Sequence, residues 1–377
     1  MSDILFESFV CKNLTLKNRF VFAAADGGST GDSKGNLLDR EIERYAAVAR
    51  GGAGLIETGC FGVHPHGVSS LAKAHLFYDS IVPSLRQLTD RVHAEGAKIA
   101  AQIYHYGAPA GALLKEQGIQ AISASKIDSA YPYRRPSFVN NYREAAEQDL
   151  QEVIVAFGEA ARRVKQSGFD AIVVHGSHDT ILSQFLSPAT NQRKDQWGGD
   201  LANRVRLHIE ILKSIRKQVG PDFCVMIKLG VMEPFVDGLS FEEGKQAAIL
   251  LHRAGYDMIE ISQGQNGFNW EETCVRQKIN SPELEGYFRR YCREIHAEGV
   301  PTIMTGGLRS YEVVDAIMQQ HETDLIGLCR PLIRDPSLIS DWQKGSHRKS
   351  NCTSCNQCLM AIINNEPLKC YLNLSSG

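Results

Sequence analysis

Phe169-Asp170-Ala171-Ile172-Val173-Val174-His175-Gly176-Ser177-His178-Asp179-Thr180 is the stretch from which the rest of the chain is read. The apolar run from Ala171 to Val174 has the composition of a strand buried on both faces, as parallel strands are. It ends in two histidines, His175 and His178, with glycine and serine between them. Polar groups at the carboxyl end of a parallel strand are where α/β barrels carry their chemistry. A neutral imidazole there can donate to a carbonyl oxygen and polarise it. Standing alone, two such histidines would read as structural caps of a strand end.

Working outward, strand-like runs alternate with amphipathic helical stretches eight times. Phe20 to Ala24 precedes a helix at 39–50, and Gly54 to Thr58 precedes one at 80–95. Lys98 to Ile103 is followed, after a long excursion, by a helix at 147–166. Ala171 to Val174 is paired with 202–219, Cys224 to Lys228 with 241–254, and Met258 to Ile261 with 283–297. Thr302 to Thr305 leads to 310–319, and Leu325 to Leu328 to 336–343. Eight β-then-α units with short turns predict a (β/α)8 TIM barrel. An open doubly wound sheet would carry a dinucleotide fingerprint near its first turn, and no G-x-G-x-x-G occurs. The excursion from Tyr104 to Ala145 carries Gly107, Pro109, Gly111, Pro132 and Pro136 with Tyr104, Tyr106, Tyr131, Tyr133 and Phe138. It is too long for a plain turn, and reads equally as a wall over the catalytic face or as packing on the rim.

Composition narrows the function classes. A net charge of −2 on 377 residues, with no long basic run, excludes an electrostatic nucleic-acid binder. No window approaches the roughly 18 apolar residues of a membrane helix. Met1-Ser2-Asp3-Ile4 lacks the basic start of a secretory signal, so a cytoplasmic protein is expected. Cys11, Cys60, Cys224, Cys274, Cys292 and Cys329 are scattered singly, as reduced thiols are.

The other four cysteines crowd the end of the chain: Cys352-x2-Cys355-x2-Cys358-x11-Cys370. Three cysteines at two-residue gaps and a distant fourth is iron–sulfur spacing. Structural zinc more often takes two separated pairs, and zinc or bare thiols stay open as alternatives. The division expected is a barrel over 1–345 and a cysteine-rich, [4Fe–4S]-binding segment over 346–377. Lys344, His347, Arg348 and Lys349 just before the cluster could offset its charge or meet an acidic electron carrier, though solvated tail residues are commoner.

The central stretch, continued by Gln184-Phe185-Leu186-Ser187-Pro188, Asn191, Arg193, Asp195, Gly198-Gly199 and Asn203-Arg204, resembles the Old Yellow Enzyme family of flavin-dependent ene-reductases. The cysteine segment, with Asn373 after its last cysteine, resembles the iron–sulfur subgroup of that family, which includes 2,4-dienoyl-CoA reductase and trimethylamine dehydrogenase. The resemblance implies FMN at the carboxyl end of the barrel and a [4Fe–4S] cluster close to it. It implies His175 and His178 as the pair that holds a substrate oxygen. Thr305-Gly306-Gly307 and Cys329-Arg330-Pro331 fit the barrel's phosphate position, where backbone N–H groups and a fixed cation meet an anion. Gln102 matches the glutamine at the flavin's pyrimidine edge. Lys228 stands where relatives have arginine beside flavin N1 and O2, where a cation stabilises the reduced form; lysine keeps the charge without the planar fork. Ala23, Ala24 and Ala25 match backbone contacts at the first strand's end, and Cys60 is assigned to the same site. Asp26 is an unusual acid for its position.

Thr180 departs from the pattern. Relatives put a tyrosine there, which protonates the substrate carbon, and a threonine hydroxyl is too weak an acid. Tyr104, Tyr106, Asp26 or water would have to donate, or the reaction is not alkene reduction. The activity expected is hydride transfer from flavin N5 to an activated carbon–carbon double bond of a small-molecule substrate. The alternative oxidises a C–N or C–H bond and passes electrons through the cluster. Either NAD(P)H reduces FMN directly, or a separate ferredoxin, flavoprotein or reductase subunit exchanges electrons with the cluster; a homo-oligomer is left open.

Overall fold

The computed structural model describes residues 4–32, 35–68, 70–127, 140–364 and 366–372. Eight parallel strands close into a barrel: β1 Phe20–Phe22, β2 Leu55–Gly62, β3 Lys98–Tyr104, β4 Ala171–Gly176, β5 Cys224–Gly230, β6 Met258–Ser262, β7 Thr302–Met304 and β8 Leu325–Leu328. The main helices between them are α1 Asp39–Arg50, α2 Val82–Ala94, α3 Glu147–Gln166, α4 Arg206–Val219, α5 Phe241–Ala254, α6 Arg289–His296, α7 Tyr311–Gln319 and α8 Leu338–Gln343.

Although the strands read as unbroken apolar runs, alternation persists inside them. Phe20, Phe22, Ile99, Ile103, Ile172, Val174, Ile227 and Ile259 face outward into the layer shared with the helices. In α3, Leu150, Val153, Phe157, Ala160, Ala161 and Val164 supply the opposing face at helical spacing. Val21, Leu55, Ala100, Val173, Met226, Met258 and Ile303 face inward, and an N-terminal hairpin, Phe9–Cys11 with Leu14–Leu16, plugs that interior with Leu14 and Leu16. One step further toward the carboxyl ends, the inward positions turn polar: Glu57, Gln102, His175, Lys228 and Glu260, all buried. That change of character makes this end of the barrel the site.

Several expectations are corrected. The hairpin was not anticipated. The helix expected at 202–219 is two pieces, Leu201–Arg204 and Arg206–Val219. The one expected at 283–297 begins only at Arg289, because Gly286 takes φ 66° and separates it from the turn Pro282–Leu284. The turns are not uniformly short, since residues 263–288 separate β6 from α6. Strand β2 runs on to Gly62 through an irregularity between Glu57 and Cys60. Cys11 and Cys224, scattered singly in the sequence and free thiols as expected, lie with their Sγ atoms 3.7 Å apart at the plugged end. The excursion after β3 forms its own parallel pair, Ala121–Ser123 with Tyr142–Glu144; Tyr131, Pro132, Tyr133, Pro136 and Phe138, like Asn373, lie outside the described residues.

Candidate active site

A cavity of about 200 Å³ opens at the carboxyl end of the barrel. Of the residues expected there, Ala23, Ala24, Ala25, His178, Lys228, Gly306, Gly307, Cys329 and Arg330 line it, together with Asp26. His175, Gln102 and Cys60 do not line it but stand beside those that do. His175 is in register with Lys228, and its ring lies 4.9 Å from that of His178 at 85°. Cys60 donates from Sγ to Oε1 of Gln102 at 2.8 Å, leaving the buried Gln102 Nε2 without a hydrogen-bond partner.

The histidine turn is tightly determined. His178 and Asp179 take φ of 54° and 66°, an uncommon conformation for residues with a Cβ. Asp179 holds it from outside the strand, accepting from Asn266 N at 2.9 Å and from Asn266 Nδ2 at 3.0 Å. His178 Nε2 lies 2.7 Å from Ser262 Oγ, so the ring is aimed by β6. Burial, reinforced by the Lys228 ammonium, pushes the His175 pKa down to about 3, so this imidazole is neutral near pH 7. Thr180 does not point into the cavity: its Oγ1 donates to His175 O at 3.0 Å and to Ser177 O at 2.9 Å. The residue that replaces the family tyrosine is a clasp of the turn. Asp26 accepts from the buried Lys73 ammonium, and Tyr104 and Tyr106 pack against each other with ring centroids 5.9 Å apart; neither tyrosine borders this cavity.

Lys228 is not a lone cation. Its Nζ donates to Glu260 Oε1 at 2.7 Å. Burial alone would lower its pKa, but the Glu260 and Glu57 carboxyls outweigh that and hold it above the ordinary lysine value. Glu57 is raised well above the carboxylate range, first by burial and then by Glu260. Glu57 Oε2 accepts from Ala24 N–H at 3.2 Å, tying the β1 end to β2.

Gly306 and Gly307 have φ of 115° and 79°. A Cβ on Gly307 would sit 2.9 Å from Tyr287 Cε1, so both conformation and space call for glycine. Beside them Arg309, which sequence reasoning missed, reaches across to the tail: its Nη1 donates to Cys352 O at 2.6 Å and its Nη2 to Ser354 Oγ. Arg330 does the same through Asn356 Oδ1 at 2.6 Å, while also donating to Arg276 O at 2.8 Å.

The four tail cysteines, Cys352, Cys355, Cys358 and Cys370, line one small cavity with Arg330, Ser354 and Leu372. Among the described residues no three histidine, cysteine or acidic side chains are grouped so as to hold a single metal ion. Of the basic residues before the cluster, His347 stacks on Tyr311 at 3.7 Å, Arg348 pairs with Asp335 and, at 2.7 Å, with Asp341, and Lys349 lies 3.9 Å from Glu285. These contacts are local: His347 and Lys349, like Lys344, stay exposed, as solvated tail residues are, and only Arg348 is half-buried. Glu57 and Glu260 were also missed, though each is a carboxyl inside an otherwise apolar strand run, which is signal enough to flag. Arg309 and Ser262 carried no comparable signal.

A closed (β/α)8 barrel with buried histidines, a lysine and a glycine cradle at the carboxyl ends of its strands defines the class: a barrel enzyme with its site on that face. Residues 4–349 match the NADH:flavin oxidoreductase / NADH oxidase family, and the chain belongs to it. It is 32% identical over 378 residues to a metal reductase of Desulforamulus reducens, covering 100% of this chain and 54% of that protein. Among solved structures it is similar to a 2-naphthoyl-CoA reductase, at TM-score 0.87 and 29% identity, over 98% of this chain and 57% of that one. It is also similar to histamine dehydrogenase from Rhizobium sp. 4-9, at TM-score 0.84 and 26% identity, over 98% and 52%. The chain thus spans about half the length of these relatives. No helix among the described residues is long and apolar enough to cross a membrane.

Proposed function

We propose that the chain is an FMN-dependent oxidoreductase that reduces an activated, α,β-unsaturated carbonyl-type double bond, with a [4Fe–4S] cluster on Cys352, Cys355, Cys358 and Cys370. The observation that carries this reading is a shared wall: Arg330, Ser354 and Cys358 line both the barrel cavity and the cysteine cavity. A flavin in the first would lie next to a cluster in the second. The residues fit FMN: the orphaned donor of Gln102 suits a pyrimidine oxygen, Gly306 and Gly307 bring side-chain-free backbone to the cavity wall, where an anion can meet it, and Ala23 to Ala25 form an apolar wall. What supports a cubane is the C-x2-C-x2-C-x11-C spacing and the small cavity the four cysteines share; in a cubane each thiolate binds a different iron.

Bound FMN supplies hydride at N5, and the cluster exchanges single electrons. The neutral His175 and the ring of His178 hold the substrate oxygen, so charge developing there is stabilised. Lys228 and Gln102 hold the pyrimidine edge; the buried barrel wall excludes water. Reducing equivalents would come from NAD(P)H or from a separate electron-transfer protein. Anaerobic purification tests the cofactors: about one FMN and about four irons per chain are expected, and zinc without acid-labile sulfide would sink the cluster.

A second reading, oxidation of a C–N or C–H bond with electrons leaving through the cluster, is favoured by one observation. Thr180 spends its hydroxyl on backbone carbonyls, so the position of the family's proton donor carries no acid. Enone consumption by the dithionite-reduced protein supports the first reading; bleaching of oxidised FMN by an amine supports the second.

A further inference from the structure

The polar layer at the top of the barrel interior holds more charge than flavin binding uses. Glu57 and Glu260 are completely buried, and Lys228 lies between them and the cavity. Glu260 stands directly across the ladder from Lys228 and takes its ammonium at 2.7 Å. The remaining oxygens, Glu57 Oε1 and Glu260 Oε2, are buried and accept from no N–H or hydroxyl donor, so the two carboxyls can pair only with each other through a proton on one of them. An uncompensated carboxylate in such a place is costly. Two carboxyls beside one ammonium can retain only one negative charge between them, the other staying protonated. The layer is therefore neutral as a whole: one ammonium, one carboxylate and one carboxylic acid.

We infer that Glu260 is a positioning residue that fixes the Lys228 ammonium beneath the cavity and cancels its charge, so the flavin's pyrimidine edge meets a hydrogen-bond donor without a net positive field. This rests on the FMN reading above. An unbalanced lysine would stabilise the negative charge that reduced flavin carries at that edge. With Glu260 in place, that stabilisation is largely withdrawn, and the chain holds its flavin at a lower potential than Lys228 alone would set. Glu57, bonded to Ala24 N–H, keeps the opposite wall in register while contributing no charge.

The test is an anaerobic potentiometric titration of the FMN-loaded protein. Every variant is made in a Glu57→Gln background, so that Glu57 cannot ionise in place of Glu260; there Glu260→Gln keeps the shape and a hydrogen-bonding oxygen but removes the counter-charge. Its midpoint should move positive by the equivalent of about tenfold tighter holding of reduced over oxidised FMN, roughly 30 mV for a two-electron couple. Lys228→Met alone should move it negative, and the double variant Lys228→Met/Glu260→Gln should return it close to wild type. An unchanged midpoint in FMN-loaded Glu260→Gln overturns the inference. If Glu260→Gln releases its flavin, the double variant decides. FMN retained near the wild-type midpoint supports charge cancellation, while flavin lost there too assigns Glu260 a purely structural role and overturns it. A wild-type protein that purifies colourless at flavin wavelengths removes the FMN reading itself, a failure visible before any potential is measured.

Discussion

Backbone conformation at single residues decides much of this site. His178 and Asp179 lie in a left-handed pair that costs on the order of 1–3 kcal/mol per residue unless the surroundings impose it. Asn266 and Ser262 impose it from the end of β6, two strands away, and the loop that follows, and the return is a ring aimed at the cavity. Thr180 completes the turn, which explains why its hydroxyl is unavailable to a substrate. Putting tyrosine there would remove both clasping bonds, so restoring the family residue would disturb the histidines it was meant to assist. Gly307 is the sharper test. In Gly307→Ala the left-handed φ alone costs about 1–2 kcal/mol, and the new methyl meets Tyr287. FMN affinity, followed by quenching of flavin fluorescence, should fall at least about tenfold while far-UV circular dichroism stays unchanged.

Two elements at opposite ends of the barrel act as closures. At the amino-terminal end the hairpin inserts Leu14 and Leu16, both fully buried, into the barrel interior. Leu16→Ala should lower stability by about 2–5 kcal/mol, the range for buried leucine truncation, read as a shift in the urea midpoint. At the carboxyl end the tail is tied down by Arg309 and Arg330 through Cys352 O, Ser354 Oγ and Asn356 Oδ1. Hydrogen bonds to a charged donor contribute about 1.5–3 kcal/mol each. Arg309→Ala should therefore free the tail: limited proteolysis should cut beyond residue 345 several-fold faster, with the barrel core left intact. Equal cutting in both forms would mean that the cysteine-rich tail holds itself in place without Arg309.

For the molecule as a whole, acid stability follows from histidines buried in the neutral form. Burial pushes His105, His175 and His208 down to about 3 and His75 down to about 4. In the unfolded chain these groups take up protons below about 6.5, whereas the folded protein does not until pH 3–4. Stability is therefore full above about pH 6.5 and falls as pH drops from there, by roughly 1.4 kcal/mol per pH unit for each histidine fully titrating in the unfolded chain. Glu233, like Glu57 whose carboxyl is also raised by burial, works in the opposite sense. Its carboxyl is raised to about 7, first by burial, so its contribution is present at low pH and fades as pH rises from about 4.5 to 7. The four histidines outweigh it below pH 6, and the urea midpoint should decline steadily from pH 6.5 to 4.5. A midpoint that stays level over that window would contradict the burial of these rings.

The amino-acid sequence by itself determined the barrel, because each buried strand and each amphipathic helix writes its own local composition. It also marked the glycine pair, the two histidines and the cysteine spacing, since each is a short-range pattern of residues that act close to where they lie in the chain. What only the tertiary structure decided are the meetings between distant strands. Glu57, Lys228 and Glu260 come from three separate β/α units and share a charge only because the barrel closes. Arg309 and Ser354, 45 residues apart, meet only because the tail folds back over the β7 loop. Cys11 and Cys224 touch only because the hairpin plugs the far end. The period of a strand records which face is buried, but not which strand will stand beside it. Barrel closure settles that, and with it the charge the site presents.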